Sequence, residues 1–112
     1  MGIRSLLARP FAAYIAVETK KWSLDPFRYQ KKVFEYLVSN GQSTAFGRDH
    51  DFKSIRNYDD FRKHVPIRDY EQLKPYIERV LHGETDILWK GKPKYFAKTS
   101  GTTSGTKYIP IT

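Results

Sequence analysis

The sequence predicts an α+β fold, a mainly α-helical fragment in which N-terminal helices lead into a small strand–loop–strand part of a larger mixed α/β domain. Through residues 1–83, apolar side chains recur every three or four positions, which is typical of amphipathic helices. Residues 84–112 instead carry short aromatic or β-branched runs separated by turn residues, which is typical of strands. We therefore expect a helical layer over residues 1–83, and strands with a connecting loop over residues 84–112.

The composition indicates a folded protein. It is 39% hydrophobic and 29% charged, which is typical of globular domains, and 112 residues suffice for one small domain or part of one. The sequence contains no cysteine, which excludes disulfides, thiolate zinc sites and cysteine nucleophiles and makes a cytoplasmic setting the default expectation. The apolar stretch at residues 11–17 is too short for a membrane span, and we expect no membrane partner.

The net charge of +8 favours negatively charged partners, because long-range attraction raises their local concentration. Acidic residues are interleaved with the basic ones along the chain, as at residues 48–51 and 58–63. A protein dedicated to nucleic acid usually gathers its positive charge on one face or stripe. The pattern therefore gives little support to a specific nucleic-acid partner.

Two long helices are predicted first. Helical spacing over residues 3–20 predicts a helix with one buried apolar stripe, and Pro10 is expected to kink this helix or to mark its start. The second helix is predicted to begin at Pro26 behind a capping Asp25 and to end at Gly41. The apolar stripe of the first helix consists of Ile3, Leu7, Phe11, Tyr14 and Ile15.

The middle of the chain alternates loops with shorter helices. Residues 44–52 fit neither helical nor strand spacing and predict a loop that Phe46 and Phe52 hold against the body. Asn57 is expected to cap a short helix that runs through Val65, because Pro66 disfavours helical geometry in the residue before it.

A further helix is predicted between a capping Asp69 and a terminating Gly83, with Pro75 kinking or splitting it. Strand-like runs follow at residues 87–89, 95–98 and 108–112. The inward face of the helix is expected to comprise Tyr70, Leu73, Ile77, Val80 and Leu81.

Residues 99–107, TSGTTSGTK, form a Thr/Ser/Gly loop between two predicted strands. Composition alone is typical of a flexible linker or an ordinary hairpin turn. The position between strands favours an anion site instead, because glycines let backbone N–H groups face an anion, six hydroxyls can donate hydrogen bonds and Lys107 supplies positive charge. The spacing does not fit a Walker motif, which indicates another class of nucleotide site.

Residues 96–107, FAKTSGTTSGTK, resemble the phosphate-loop signature of adenylate-forming enzymes, with only Thr106 departing from it. Within that superfamily, the sequence is similar to the GH3 (auxin-responsive promoter) family of acyl acid amido synthetases, in the form found in bacteria. The similarity runs from about Pro26 to Thr112. It includes residues 44–47 (TAFG), 65–70 (VPIRDY), 73–77 (LKPYI) and 83–84 (GE).

The resemblance implies the N-terminal fragment of an ATP- and magnesium-dependent carboxylic acid–amino acid ligase. Such an enzyme activates the acid as an acyl adenylate, releases diphosphate and transfers the acyl group to the amine of an amino acid. The family motifs for adenine, ribose and the acid have no counterpart here, so little turnover is expected of this fragment alone. The implied ATP-binding residues are Thr99, Ser100, Gly101, Thr102, Thr103 and Lys107.

The remaining polar candidates are given structural interpretations. Asp49 and Asp51 are expected to be solvated ion-pair partners of Arg48 and Lys53, not a catalytic pair. The histidines have no helical i, i+4 spacing, so we assign no metal or catalytic residue among them and expect them to be exposed or to cap helices. They are His50, His64 and His82.

An alternative function stays open on these observations. The chain could be a non-enzymatic basic helical module that binds nucleic acid or a protein partner, with the Thr/Ser/Gly loop as a flexible segment. Salt-sensitive nucleic-acid binding would favour this alternative.

Overall fold

The computed structural model describes residues 2–101 and 105–112. Within those ranges the chain has five α-helices and one two-stranded antiparallel sheet, which confirms the predicted mainly α-helical α+β class. The chain divides into two compact units, Met1–Phe34 and Glu35–Thr112, and the second contains the Thr/Ser/Gly loop.

The helices are α1 (Ile3–Leu24), α2 (Pro26–Gly41), α3 (Ala45–Asp49), α4 (Tyr58–His64) and α5 (Tyr70–Leu81), with a single 3-10 turn at Phe52–Ser54. The strands are β1 (Tyr95–Thr99) and β2 (Lys107–Ile111).

The first predicted helix is present as α1, but its apolar stripe is not buried as predicted. No residue of the described helix is buried, and Ile3 and Phe11 are 79% and 68% exposed. Helical spacing predicts which residues share a face, whereas burial requires a second apolar surface against that face. Pro10 lies inside the helix and does not mark its start. In the part of the chain that the structure describes, no helix has the length and hydropathy needed to cross a membrane.

Helix α2 begins and ends where the sequence predicts. The Asp25 carboxylate accepts a hydrogen bond from the Arg28 N–H at 3.3 Å, which satisfies one of the free donors in the first turn. Pro26 occupies the first helical position and the helix ends at Gly41.

The turn from Gly41 to Gly47 is determined by a buried side chain and two glycines. The Thr44 side chain is 1% exposed. Its hydroxyl donates to the Gly41 carbonyl at 2.7 Å and accepts from the Gly47 N–H at 2.9 Å. A Cβ at Gly47 would lie only 1.9 Å from the Gly41 carbonyl oxygen, so only glycine fits there. This cap starts a short helix, α3, where the sequence predicted a loop.

Helix α3 is joined to a later segment of the chain through its first N–H groups. The Ala45 N–H donates to the Asp86 carbonyl at 2.8 Å, and the Phe46 N–H donates to the Ile87 carbonyl at 3.0 Å. Ala45, Ile87 and Val80 of α5 then form a buried cluster. Tyr76, Leu88 and Phe96 of β1 pack against that cluster and attach the sheet to it.

Residues 87–89 form no strand, contrary to the sequence prediction. Their neighbours close a tight turn, in which the Asp86 N–H donates to the Gly91 carbonyl at 3.0 Å and the Asp86 carboxylate accepts from the Gly91 N–H at 2.7 Å. Asp86 has φ +56°, a left-handed conformation that Asp adopts more readily than most residues. Because the Asp86 and Ile87 carbonyls bond to α3, Ile87 is buried and Leu88 and Trp89 are half-buried without pairing to a strand.

Phe46 and Phe52 hold the segment after Thr44 against the second unit as predicted, although residues 45–49 of that segment are helical. Phe46 meets Phe52 edge-on at 5.9 Å between ring centroids, and Phe52 is tilted toward Phe61 at 6.3 Å. The Asn57 side chain accepts from the Asp60 N–H at 2.9 Å and begins α4, which ends at His64 before Pro66. The predicted cap and break are therefore confirmed.

Helix α5 begins with a capping box, in which the Asp69 carboxylate accepts from the Gln72 N–H while the Gln72 side chain accepts from the Asp69 N–H. It is followed by Gly83 at φ +90°, as predicted. Pro75 does not split the helix, which is continuous over Tyr70–Leu81. On the predicted inward face, Ile77 and Val80 are buried, Tyr70 and Leu73 are half-buried, and Leu81 is exposed.

The histidines confirm the capping interpretation. At the ends of α3, α4 and α5, one ring nitrogen lies within hydrogen-bond distance of the carbonyl four residues earlier. Since a carbonyl only accepts, each Nδ1 carries the proton in this contact. The distances are 2.7 Å for His50, 2.9 Å for His64 and 2.6 Å for His82.

We predict that Thr44→Val destabilises the second unit by about 1–3 kcal/mol, because it keeps the side-chain shape and removes both hydroxyl hydrogen bonds in a buried turn. Urea unfolding measures the change. Thr19→Val is the matched control, since Thr19 is exposed on α1. Equal stability of the two variants would contradict the assigned role of Thr44.

Candidate functional site

The Thr/Ser/Gly loop connects two antiparallel strands. Thr99 of β1 pairs with Lys107 of β2 at the loop end, and Tyr95 pairs with Ile111 at the open end. Thr99 and Lys107 are both half-buried. Two of the predicted ATP-binding residues, from opposite ends of the motif, therefore lie across from each other at the base of the loop.

Two glycines bring the limbs of the loop into backbone contact. A Cβ at Gly101 would lie 1.7 Å from the Gly105 carbonyl oxygen, so no side chain fits between them. The Gly101 N–H donates to the Thr99 carbonyl at 3.1 Å, which turns the chain immediately after β1. Gly105 has φ +73°, a conformation that L residues rarely adopt. The base of the loop is therefore narrow and made of bare backbone.

The predicted site residues divide by position. Thr99, Gly101 and Lys107 surround this base, and Ser100 is exposed beside it. Thr102 and Thr103 lie outside the described residues. The described part of the site thus combines hydroxyl groups, bare backbone and one cation.

Tyr70, at the start of α5, holds the strand that leaves the loop. The Tyr108 N–H donates to the Tyr70 hydroxyl at 2.9 Å, and that hydroxyl donates to the Tyr108 carbonyl at 3.4 Å. The Lys107 ammonium lies 5.6 Å from the centroid of the Tyr70 ring, which is within cation–π range. Tyr70 thus positions the backbone and the cation at the loop exit.

Sequence reasoning missed this role and assigned Tyr70 only to the inward face of α5. The contact joins residues separated by 38 positions, so no local spacing signals it. The aromatic ring leaves the Lys107 charge available, since no carboxylate pairs with Lys107 among the described residues.

The predicted ion pairs of Asp49 and Asp51 with Arg48 and Lys53 are not found. The Tyr76 hydroxyl donates to the Asp49 carboxylate at 2.6 Å, and Asp51 accepts from Ser54. Burial, and then the bond to Asp49, raise the pKa of Tyr76 above its ordinary value. Hydrogen-bond donors outside the charged turn thus satisfy both carboxylates, which spacing along the chain does not reveal.

We predict that Tyr70→Phe speeds hydrogen exchange of the Tyr108 amide about tenfold, equivalent to ~1.4 kcal/mol, because the amide loses its acceptor while the ring under Lys107 stays. Amide exchange followed by NMR measures this. Tyr95→Phe in the same hairpin is the control, because Tyr95 is 71% exposed. Unchanged exchange at Tyr108 would show that the Tyr70 hydroxyl does not hold β2.

We also predict that Gly101→Ala destabilises the hairpin by more than ~1–3 kcal/mol, since the added methyl group meets backbone that cannot move aside like a side chain. Thermal or urea unfolding tests this against Gly2→Ala, whose added Cβ meets nothing within 4 Å. A Gly101→Ala protein as stable as the control would contradict the backbone contact.

Comparison with known proteins places these features in a family. Residues 17–112 match the model of the GH3 family N-terminal domain. The chain is 33% identical over 85 residues to indole-3-acetic acid-amido synthetase GH3.15 of Arabidopsis thaliana, covering 74% of this chain and 14% of that protein. It is 27% identical over 118 aligned positions to indole-3-acetic acid-amido synthetase GH3.4 of Arabidopsis thaliana. That alignment covers 97% of this chain and 20% of the synthetase.

The 4-substituted benzoates-glutamate ligase GH3.12 of Arabidopsis thaliana is 42% identical over 48 residues, covering 42% of this chain and 8% of the ligase. The aligned region thus spans between 8% and 20% of the length of these three curated relatives. Because the family model covers most of the sequence, including α3, α5 and the hairpin, the chain belongs to the GH3 family.

Proposed function

We propose that this chain is the N-terminal part of an ATP-dependent acyl acid–amino acid ligase, which activates a carboxylic acid as an acyl adenylate and transfers it to an amine. The observation that carries the proposal is the match of residues 17–112 to the GH3 N-terminal domain. The relatives named above are acid-amido synthetases and a benzoates-glutamate ligase.

The Thr/Ser/Gly loop fits the phosphates of ATP. Its base is bare backbone, since a Cβ at Gly101 would collide with the Gly105 carbonyl and Gly105 has a positive φ that favours glycine. Bare backbone lets a phosphate approach N–H groups closely. Hydroxyl donors flank the base, and Lys107 adds positive charge that no described carboxylate neutralises. In this proposal the ATP phosphates are held by Thr99, Ser100, Gly101, Thr102, Thr103 and Lys107.

The loop contains hydroxyl groups but no Asp or Glu between residues 99 and 107. Magnesium is usually held by one or two carboxylates together with substrate phosphates. We therefore propose that Mg²⁺ arrives with ATP, and that its protein carboxylates lie outside this loop.

The contribution of the loop to the reaction is electrostatic. ATP supplies the adenylyl group, and diphosphate is the leaving group. A carboxylate approaching a polyphosphate meets like charge, so fixed donors must screen the phosphates and orient them. Tyr70 serves this indirectly, because it fixes the strand that carries Lys107.

In the complete enzyme, residues 1–83 would form a helical layer and residues 84–112 would supply strands and the phosphate loop of the adenylating domain. The chain alone should turn over little or no substrate, because the surfaces for adenine, ribose, the acid and the amine would be contributed elsewhere in the enzyme.

We predict that removing the Thr102 and Thr103 hydroxyls in the full-length protein, by Thr102→Ala with Thr103→Ala, lowers acid-dependent ATP–diphosphate exchange about 10²-fold or more, as loss of preorganised donors does elsewhere. The assay uses labelled diphosphate with indole-3-acetate and a panel of 4-substituted benzoates. Thr85→Ala is the control, since Thr85 is exposed and precedes the hairpin.

The same assay on the 112-residue chain alone should give no exchange. Exchange in the double variant at the rate of the full-length wild type would refute the role of the loop. The absence of exchange from the wild-type protein with every acid tested would count against the ligase.

A further inference from the structure

A second cationic site lies in the Glu35–Thr112 unit, outside the Thr/Ser/Gly loop. It is an open pocket of about 430 Å³, which we call the basic pocket. The described lining contains three cations, two hydroxyl groups and one amide, and no carboxylate. The lining residues are Ser39, Gln42, Ser43, Arg48, Lys53 and Lys90.

Two cations of the basic pocket, Arg48 and Lys90, are held in place without being neutralised. The Arg48 guanidinium donates to the Ser43 carbonyl at 2.6 Å, and the Lys90 ammonium donates to the Asn40 side-chain oxygen at 2.8 Å. Both acceptors are uncharged. Lys53 makes no hydrogen bond or ion pair within residues 2–101 and 105–112.

The nearest carboxylates along the chain are engaged elsewhere. Asp49 accepts from the Tyr76 hydroxyl. Asp51 accepts from Ser54 and lies 3.7 Å from the imidazole of His64. Three like charges that line one cavity repel one another, and a bound anion would relieve that repulsion.

We propose that the basic pocket binds a multiply charged phosphate group, either as free diphosphate or as the phosphate tail of a nucleotide. A guanidinium matches the oxygens of a phosphate with paired N–H donors, and ammonium groups add point charges around it. The Ser43 hydroxyl can donate to a further oxygen, whereas the Ser39 hydroxyl already donates to the Tyr36 carbonyl at 3.1 Å. A singly charged carboxylate would leave most of this positive charge unbalanced.

The basic pocket is distinct from the proposed ATP loop. Lys90 precedes β1, whose first residue, Tyr95, pairs at the open end of the hairpin. The Thr/Ser/Gly loop lies at the opposite end, beyond Thr99, and β1 spans about 13 Å at the usual rise per residue. The proposal therefore stands on its own residues and does not depend on the proposed function.

Titration calorimetry of the full-length protein with sodium diphosphate, without magnesium and at low salt, tests the site. Lys53→Gln should weaken the affinity at least tenfold, about 1.4 kcal/mol. It should not affect folding, because Lys53 holds no other described group. Lys53→Arg should retain binding. Lys63→Gln, on α4, removes the same charge away from the pocket and should have no effect.

Lys107→Gln distinguishes the two sites. It should leave the Lys53-dependent binding of diphosphate unchanged, even if it weakens binding at the Thr/Ser/Gly loop. Titration with ADP distinguishes the two sources of the phosphate group. Lys53-dependent binding of ADP at least tenfold tighter than that of diphosphate indicates a nucleotide tail. ADP binding that is equal to or weaker than that of diphosphate indicates free diphosphate. Lys53→Gln binding as tightly as wild type, or no Lys53-dependent heat at millimolar diphosphate, would overturn the proposal.

Discussion

The buried hydroxyl of Thr44 is the interaction on which the second unit depends. It joins the end of α2 to the start of α3 by bonding both Gly41 and Gly47. After this turn, the first N–H groups of α3 donate to the carbonyls of Asp86 and Ile87. Those bonds bring the Ile87 side chain between Ala45 and Val80, where Phe96 of β1 packs. The Thr44 cap thus supports one attachment of the hairpin to the helices, and the bond between the Tyr70 hydroxyl and the Tyr108 N–H provides another.

The hairpin then presents a loop whose base is determined by the backbone. Gly101 and Gly105 meet without intervening side chains, while Tyr70 fixes β2 and lies beneath the Lys107 ammonium. Rigid placement of donors and charge is what recognition of a phosphate requires, because donors that are already ordered lose little entropy on binding. The proposed ATP site therefore also depends on α5, which carries Tyr70.

Much of this fold could be predicted from the sequence because its helix boundaries are local. Each boundary is set by residues within one turn of it, namely Asp25 with Pro26, Asn57, Asp69 and Gly83. The loop is predicted to be a phosphate site from its position between strands and its resemblance to the adenylate-forming signature, because its composition alone is typical of a linker. Predictions failed where distant residues decide the outcome: residues 87–89 bond to α3 instead of a strand, and Asp49 bonds to Tyr76 instead of a neighbouring cation. The Tyr70 contact could not be predicted for the same reason.

In the proposed function, the Thr/Ser/Gly loop of this GH3-family chain holds the phosphates of ATP. Hydrogen–deuterium exchange of the full-length protein, with and without Mg²⁺ and a non-hydrolysable ATP analogue, tests it most directly. Peptides covering residues 99–107 should exchange more slowly when the analogue is bound, because bound phosphates occupy backbone N–H groups. Protection elsewhere in the protein, with unchanged exchange in these peptides, would contradict the proposed role of the Thr/Ser/Gly loop.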